Sequence, residues 1–237
     1  MNLIAYILTH ALDLFFPKFC LLCDTKGVYL CTRCQKLKLQ VQSTQYCHVC
    51  LRETGNPGIL VHPDCRKITC LRGVFSVLFY NAAAGEILHQ LKYRFYFSIA
   101  ADMSKMMRRK FTETVLIPGI QIDYIVPVPL HRRRYWWRGF NQAELLAHEI
   151  TPDYLKILQR VKFRHPQVGL GREQRKASVK DIFVVRPGWN VQGKTILLID
   201  DVMTTGATLE ECAKALKAAG ASKVFALVWA RDPLENN

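Results

Sequence analysis

The sequence predicts an α/β protein, a parallel sheet of about five strands with helices on both faces, preceded by a small cysteine-rich ribbon. Three observations carry this. Ile196 to Ile199 is an uninterrupted apolar run that ends in Asp200 and Asp201. It continues through Thr204-Thr205-Gly206-Ala207-Thr208 into a helical pattern with Leu209, Cys212, Ala213 and Leu216 on one face. Ile122-Asp123-Tyr124-Ile125-Val126 reads as a second strand, ending in Pro127-Val128-Pro129-Leu130-His131-Arg132-Arg133-Arg134. Eight of the nine cysteines fall within the first 70 residues, most of them in pairs two residues apart. A continuous apolar run reads as a strand buried on both faces, hence parallel. Ligands in such sheets bind at the carboxyl ends of the strands.

The chain begins with a helical stripe of Leu3, Ile4, Ile7, Leu8, Ala11, Leu12 and Phe15, ended by Pro17. Packing against the body of the protein is its first reading; contact with a membrane or partner is the alternative. The stretch is too short to span a bilayer, and lacks the basic flank and cleavage site of a signal peptide. With no export signal and metal-like cysteine spacing, a reducing cytoplasm is expected.

Residues 18–70 form a distinct segment. Cys20 and Cys23 are followed by Cys31 and Cys34, then by Cys47 and Cys50, then by His62 and Cys65. Each two-residue gap lets both donors of a pair face one ion. Four pairs make two tetrahedral sites, one of four thiolates and one of three thiolates and an imidazole, the chemistry of structural zinc. Pairing in sequence order is expected because the intervening loops are short, although an interleaved pairing satisfies the same count. His48 and Cys70 are read as non-ligands. The segment is poor in apolar residues and needs the metal to hold its shape.

Residues 71–237 carry the α/β pattern. Val74 to Tyr80 reads as a strand, Ala83 to Tyr93 and Ser98 to Lys110 as helices, and Lys92 falls at a helix end on the expected ligand side. The basic stretch after Val126 reads as a loop at the carboxyl edge of the sheet. Asn141 is positioned to cap a helix from Ala143 to Ile150. Tyr135, Trp136 and Trp137 lie among four arginines. They suit base stacking, although two adjacent tryptophans more often divide between core and surface. Residues 151–190 read as mostly loop, with a strand over Asp181 to Val185 and a turn at Pro187-Gly188-Trp189. Gly220 ends the last helix, and Lys223 to Ala230 is a final buried strand.

The formal net charge is +14 and the isoelectric point about 9.5. Seven of the 33 Lys and Arg residues crowd into positions 156–176, against one acid, Glu173. Such an excess points to a polyphosphate or nucleic-acid partner.

The junction after Ile199 has a chemistry of its own. A loop feeding a helix N-terminus offers unpaired amides and the positive end of the helix dipole, which suit phosphate. Gly206 permits positive φ and close approach. Asp200 and Asp201 would repel phosphate, but suit sugar hydroxyls or a hydrated Mg²⁺. A sugar with a phosphate at one end and hydroxyls in its middle fits this layout. The string ILLIDDVMTTGAT resembles the thirteen-residue signature of type I phosphoribosyltransferases, which bind phosphoribosyl pyrophosphate. With PVPLHRRR and RGFNQAELLA ahead of it and the zinc-type pairs before both, the chain resembles the ComF family of competence-associated proteins over nearly its whole length.

That resemblance implies a type I phosphoribosyltransferase-like domain behind a double zinc ribbon. It assigns Asp200 and Asp201 to the ribose hydroxyls, and Val202, Met203, Thr204, Thr205, Gly206, Ala207 and Thr208 to the 5′-phosphate. Leu130, His131, Arg132 and Arg133 take the pyrophosphate. Arg172, Arg175 and Lys176 form a mobile flap that adds charge to it; composition alone equally allows an exposed linker there. His62 stands where a fourth Cys-x2-Cys pair is often found.

Two functional classes follow. One is a protein that handles single-stranded DNA during natural transformation, alongside other DNA-uptake proteins, and retains a site for phosphoribosyl pyrophosphate with Mg²⁺. The other is an active phosphoribosyltransferase, in which a nitrogen of a base or amine attacks ribose C1 as pyrophosphate leaves. No acceptor pocket stands out in the sequence, and the charge favours the first.

Overall fold

The computed structural model describes residues 17–55, 59–93, 97–115, 120–161 and 182–233. The expected N-terminal helix and the flap at Arg172, Arg175 and Lys176 lie outside the described residues.

The cysteine-rich segment contributes a short helix α1 (Thr32–Leu37) and a two-residue strand β1 (Gln40–Val41). The chain then runs β2 (Gly73–Phe79), α2 (Ala82–Tyr93), α3 (Phe97–Lys110), β3 (Tyr124–Pro127), α4 (Arg132–Arg138) and α5 (Gln142–Ile150). Strands β4 (Leu158–Arg160), β5 (Phe183–Val185) and β6 (Thr195–Met203) follow, then α6 (Ala207–Ala218) and β7 (Lys223–Arg231).

The main sheet has the order β1-β2-β7-β6-β3. The four strands β2, β7, β6 and β3 pair in parallel, with Leu197 of β6 opposite both Phe225 and Ile125. Successive side chains of a strand point to opposite faces, so these continuous apolar runs feed two cores. Phe75, Leu197, Ile199, Phe225, Leu227 and Trp229 pack on one face with Ile87, Met103 and Leu146 from α2, α3 and α5. Val74, Ile196, Leu198, Val224 and Ala226 pack on the other with Leu209, Cys212 and Leu216 from α6. The expected two-faced α/β architecture is therefore observed.

Three local expectations are corrected. The sheet is not wholly parallel: β1 pairs antiparallel with β2, placing Gln40 opposite Phe79 and Val41 opposite Leu78. Buried Gln42 fixes that edge. Its amide N–H donates to Val77 O at 2.8 Å, its own carbonyl accepts from Lys110 Nζ at 2.8 Å, and Ser76 Oγ donates to its side chain. The strand expected over Asp181 to Val185 is observed over Phe183–Val185, but its partner β4 was read as loop: Leu158 and Arg160 pair antiparallel with Val185 and Phe183. The stretch after Val128 is loop only to His131. The His131 side chain then accepts from the Arg133 amide and caps α4, and Gly139 closes the helix at φ 74°. Arginine is a good helix former, so a capped run of it coils.

The remaining boundaries fall close to expectation. Asn141 caps α5 by accepting from the Ala143 amide. Gly220, at φ 97°, follows the end of α6.

Candidate functional site

The carboxyl edge of β6 is built as its residue types require. The strand runs through Met203, so Val202 and Met203 belong to the sheet, opposite Ala230 and Arg231. The loop proper is Thr204-Thr205-Gly206. Gly206 adopts φ 75° and is the N-cap of α6 with no side-chain cap. A threonine cap is thus absent at that position; Thr205 Oγ1 instead accepts from the Ala207 amide at 3.4 Å. Asp200 and residues 202–209 line one small cavity. The structure thereby brings the expected phosphate residues together with one of the two aspartates.

The aspartates differ in charge. Burial, and then Asp201 alongside, push the Asp200 carboxyl well above the usual range. Burial also opposes ionisation of Asp201, but Lys92 Nζ lies 2.7 Å from its Oδ2 and holds it below the ordinary value. Two adjacent buried carboxyls cannot both ionise cheaply, and the ammonium selects which one does. Each also accepts from the next amide, Asp201 N–H to Asp200 at 2.9 Å and Val202 N–H to Asp201 at 2.8 Å.

Leu130 and His131 precede α4, and Arg132 and Arg133 open it with exposed side chains. His131 is shifted down, by burial first and then by Arg160, Arg133, Arg134 and Arg132, so it is a neutral acceptor at neutral pH. Arg160, at the end of β4, is shifted down by burial and by Arg134, and Asp200 partly offsets this. Its Nε is buried with no hydrogen-bond partner among the described residues. Cations that depress one another's ionisation make an edge that an anion would relieve. Lys92 and Arg160 were outside the expected site set. The helix-end position of Lys92 and the basic cluster around Arg160 were the available signals.

The cysteine-rich segment forms two clusters in sequence order. Cys20, Cys23, Cys31 and Cys34 make one, and Cys47, Cys50, His62 and Cys65 the other, with all donor atoms of each within 4.8 Å of one another. Tetrahedral zinc with thiolates at about 2.3 Å needs donors roughly 3.8 Å apart. Cys23 Sγ lies 3.6 Å from Cys31 Sγ, and Cys50 Sγ lies 3.2 Å from His62 Nδ1. Donor type, number and spacing fit such an ion. Without one, burial pushes Cys34 up to about 12 and Cys65 up to about 11, so neither cluster ionises fully. A bound cation would hold every cysteine donor as a thiolate and the His62 ring neutral. His48 and Cys70 lie outside both clusters.

Sheet, loop and acidic pair together define a phosphoribosyltransferase-like protein with a cysteine-rich ribbon. The phosphoribosyl transferase domain family matches residues 138–235. The chain is 31% identical to the DNA utilization protein YhgH of Escherichia coli, over 84% of this chain and 95% of that one. It is 29% identical to competence protein F of Haemophilus influenzae, over 84% of this chain and 88% of that one. It is 28% identical to competence protein ComFC of Streptococcus pneumoniae, over 88% and 99%. The chain belongs to the ComF family of competence-associated proteins. Among the described residues no helix is long and apolar enough to cross a membrane.

Proposed function

We propose that this chain binds phosphoribosyl pyrophosphate with Mg²⁺ and binds single-stranded DNA, acting inside the cell during DNA uptake and natural transformation. Asp200 and Asp201 receive the ribose hydroxyls, residues 202–208 the 5′-phosphate, and Leu130 to Arg133 the pyrophosphate. Arg172, Arg175 and Lys176 close over it. The chain divides at about residues 17 and 70 into an N-terminal helix, a ribbon holding two structural zinc ions, and the nucleotide-sugar domain. Mg²⁺, when bound, screens the charge of the pyrophosphate. The observation that carries the reading is the single cavity joining Asp200 to the Gly206 loop at the start of α6, with Lys92 on the neighbouring carboxylate. The competence names of the relatives support the cellular role.

An intact acidic pair also favours a second reading, transfer of the ribosyl group to a small base or amine. There Asp200 and Asp201 would stabilise a ribose ring that gains positive charge, and the arginines would hold the departing pyrophosphate.

A labelled oligodeoxynucleotide titrated against the protein at rising salt tests the DNA half. Phosphate contacts predict a log-log decline of affinity with salt. Binding that is absent, or unchanged between low and high salt, contradicts it. Pyrophosphate released on adding candidate bases would establish the second reading.

A further inference from the structure

Helix α4 presents both of its adjacent tryptophans to solvent, rather than dividing them between core and surface. Trp136 is 82% exposed and Trp137 68%, although adjacent tryptophans ordinarily share themselves between core and surface. Trp136 makes no ring contact among the described residues. Trp137 stands edge-on to Tyr93, with ring centroids 5.8 Å apart at 67°. Tyr93, 45% exposed, in turn contacts His89 at 4.8 Å, and Arg138 lies 5.2 Å over its ring. Trp137 and Tyr93 therefore make one exposed aromatic edge, and Tyr93 follows in sequence Lys92, the lysine that pairs with Asp201.

The charge on this helix names the occupant. Arg132 and Arg133 sit one turn before Trp136 and Trp137, on the same faces at a spacing of four. The helix reads RRRYWWR and contains no acid. Cations one turn from open aromatic rings match a chain whose phosphates and unpaired bases alternate. A duplex hides its base faces, and an acidic protein surface offers no planar rings at that repeat.

We propose that Trp136 and Trp137 are the stacking platform for unpaired bases of single-stranded DNA. The strand then runs along α4, past the Arg132 and Arg133 that open the helix. This rests on the DNA-binding reading above and adds to it the residues and the geometry.

The test uses the full chain and an oligothymidylate of about 20 nucleotides, long enough for one groove. Affinity is read by anisotropy and by quenching of tryptophan fluorescence. Changing both residues, Trp136→Ala and Trp137→Ala, should weaken binding roughly 5- to 150-fold, the loss of one stacked base or more. Replacing both with Phe should restore most of it, since a ring remains. An abasic strand of the same length should bind the wild-type protein about as weakly as oligothymidylate binds the Ala variant. Both side chains are exposed, so folding is retained, and binding of phosphoribosyl pyrophosphate should not change. Equal affinity for thymidylate and abasic strands, or an Ala variant that binds normally, would overturn the platform while leaving DNA binding in place. If the wild-type protein binds no strand, the platform falls with the DNA reading.

Discussion

The Thr69 hydroxyl donates a 2.6 Å hydrogen bond to Glu210 Oε2, joining residues 141 apart in sequence. The Cys70 amide donates to the other carboxylate oxygen at 2.7 Å. Glu210 sits in the first turn of α6, the helix that Gly206 opens. On its other side Thr69 lies 3.0 Å from Nε2 of His48, next to the cluster residue Cys47. Burial, then Arg231, pushes His48 down to about 4, so it is a neutral imidazole here. The second cysteine cluster is thus tied through three side chains to the helix that follows the Gly206 loop.

Glu210→Ala leaves the Cys70 amide without its acceptor, and should destabilise the fold by about 1–3 kcal/mol. Glu210→Gln keeps an oxygen for that amide and should cost less. Urea denaturation of both variants checks the order. Equal stability of Glu210→Ala and wild type would show that the tie contributes nothing.

Lys92→Met removes the cation that selects Asp201 for ionisation. The pair is partly buried, with the side chains 25% and 13% exposed. The loss should fall below the roughly 3–5 kcal/mol of a fully buried broken pair, at about 1–3 kcal/mol. The variant should also regain stability as pH falls and Asp201 takes up a proton. A denaturation series across pH would show this; a pH-independent loss would contradict it.

Asp200 gives a signed pH dependence for ligand binding. Its carboxyl is held above the ordinary range, and a carboxylate that accepts ribose hydroxyls must shed its proton. Affinity for phosphoribosyl pyrophosphate should therefore rise as pH rises through the elevated value and then level off. Binding should release protons, seen as a buffer-dependent enthalpy in calorimetry. Affinity that falls over this range would reverse the assignment.

Cys47→Ser removes a donor from the second cluster only. Bound zinc should drop by one ion per chain by metal analysis, and the melting temperature should fall. Because of the Thr69–Glu210 tie, affinity for phosphoribosyl pyrophosphate should also weaken. Unchanged zinc content would show that Cys47 is not a ligand.

The legible parts were those set by local pattern. The β6 run, the acids after it and the loop at Gly206 announce a strand, a site and a helix within seventeen residues. The Cys-x2-Cys and His-x2-Cys spacings announce the clusters, because four such pairs in succession supply the donors of two tetrahedral ions. Strand β1 was not legible, since two residues carry no periodicity and its edge is held by buried Gln42 from outside. Helix α4 was hidden behind two prolines and a run of charge that usually marks a loop, while His131 supplied the cap. The Lys92–Asp201 pair and the Glu210 tie depend on chain crossings that no local window contains.

Central to the whole reading is that the acidic pair and the loop at Gly206 share one sugar phosphate. Calorimetric titration of phosphoribosyl pyrophosphate with Mg²⁺ into wild type and into the Asp200→Asn, Asp201→Asn double variant tests this most directly. The account predicts saturable binding to wild type, and its loss in the variant with metal content unchanged. Equal binding by both proteins, or none by wild type, would contradict it.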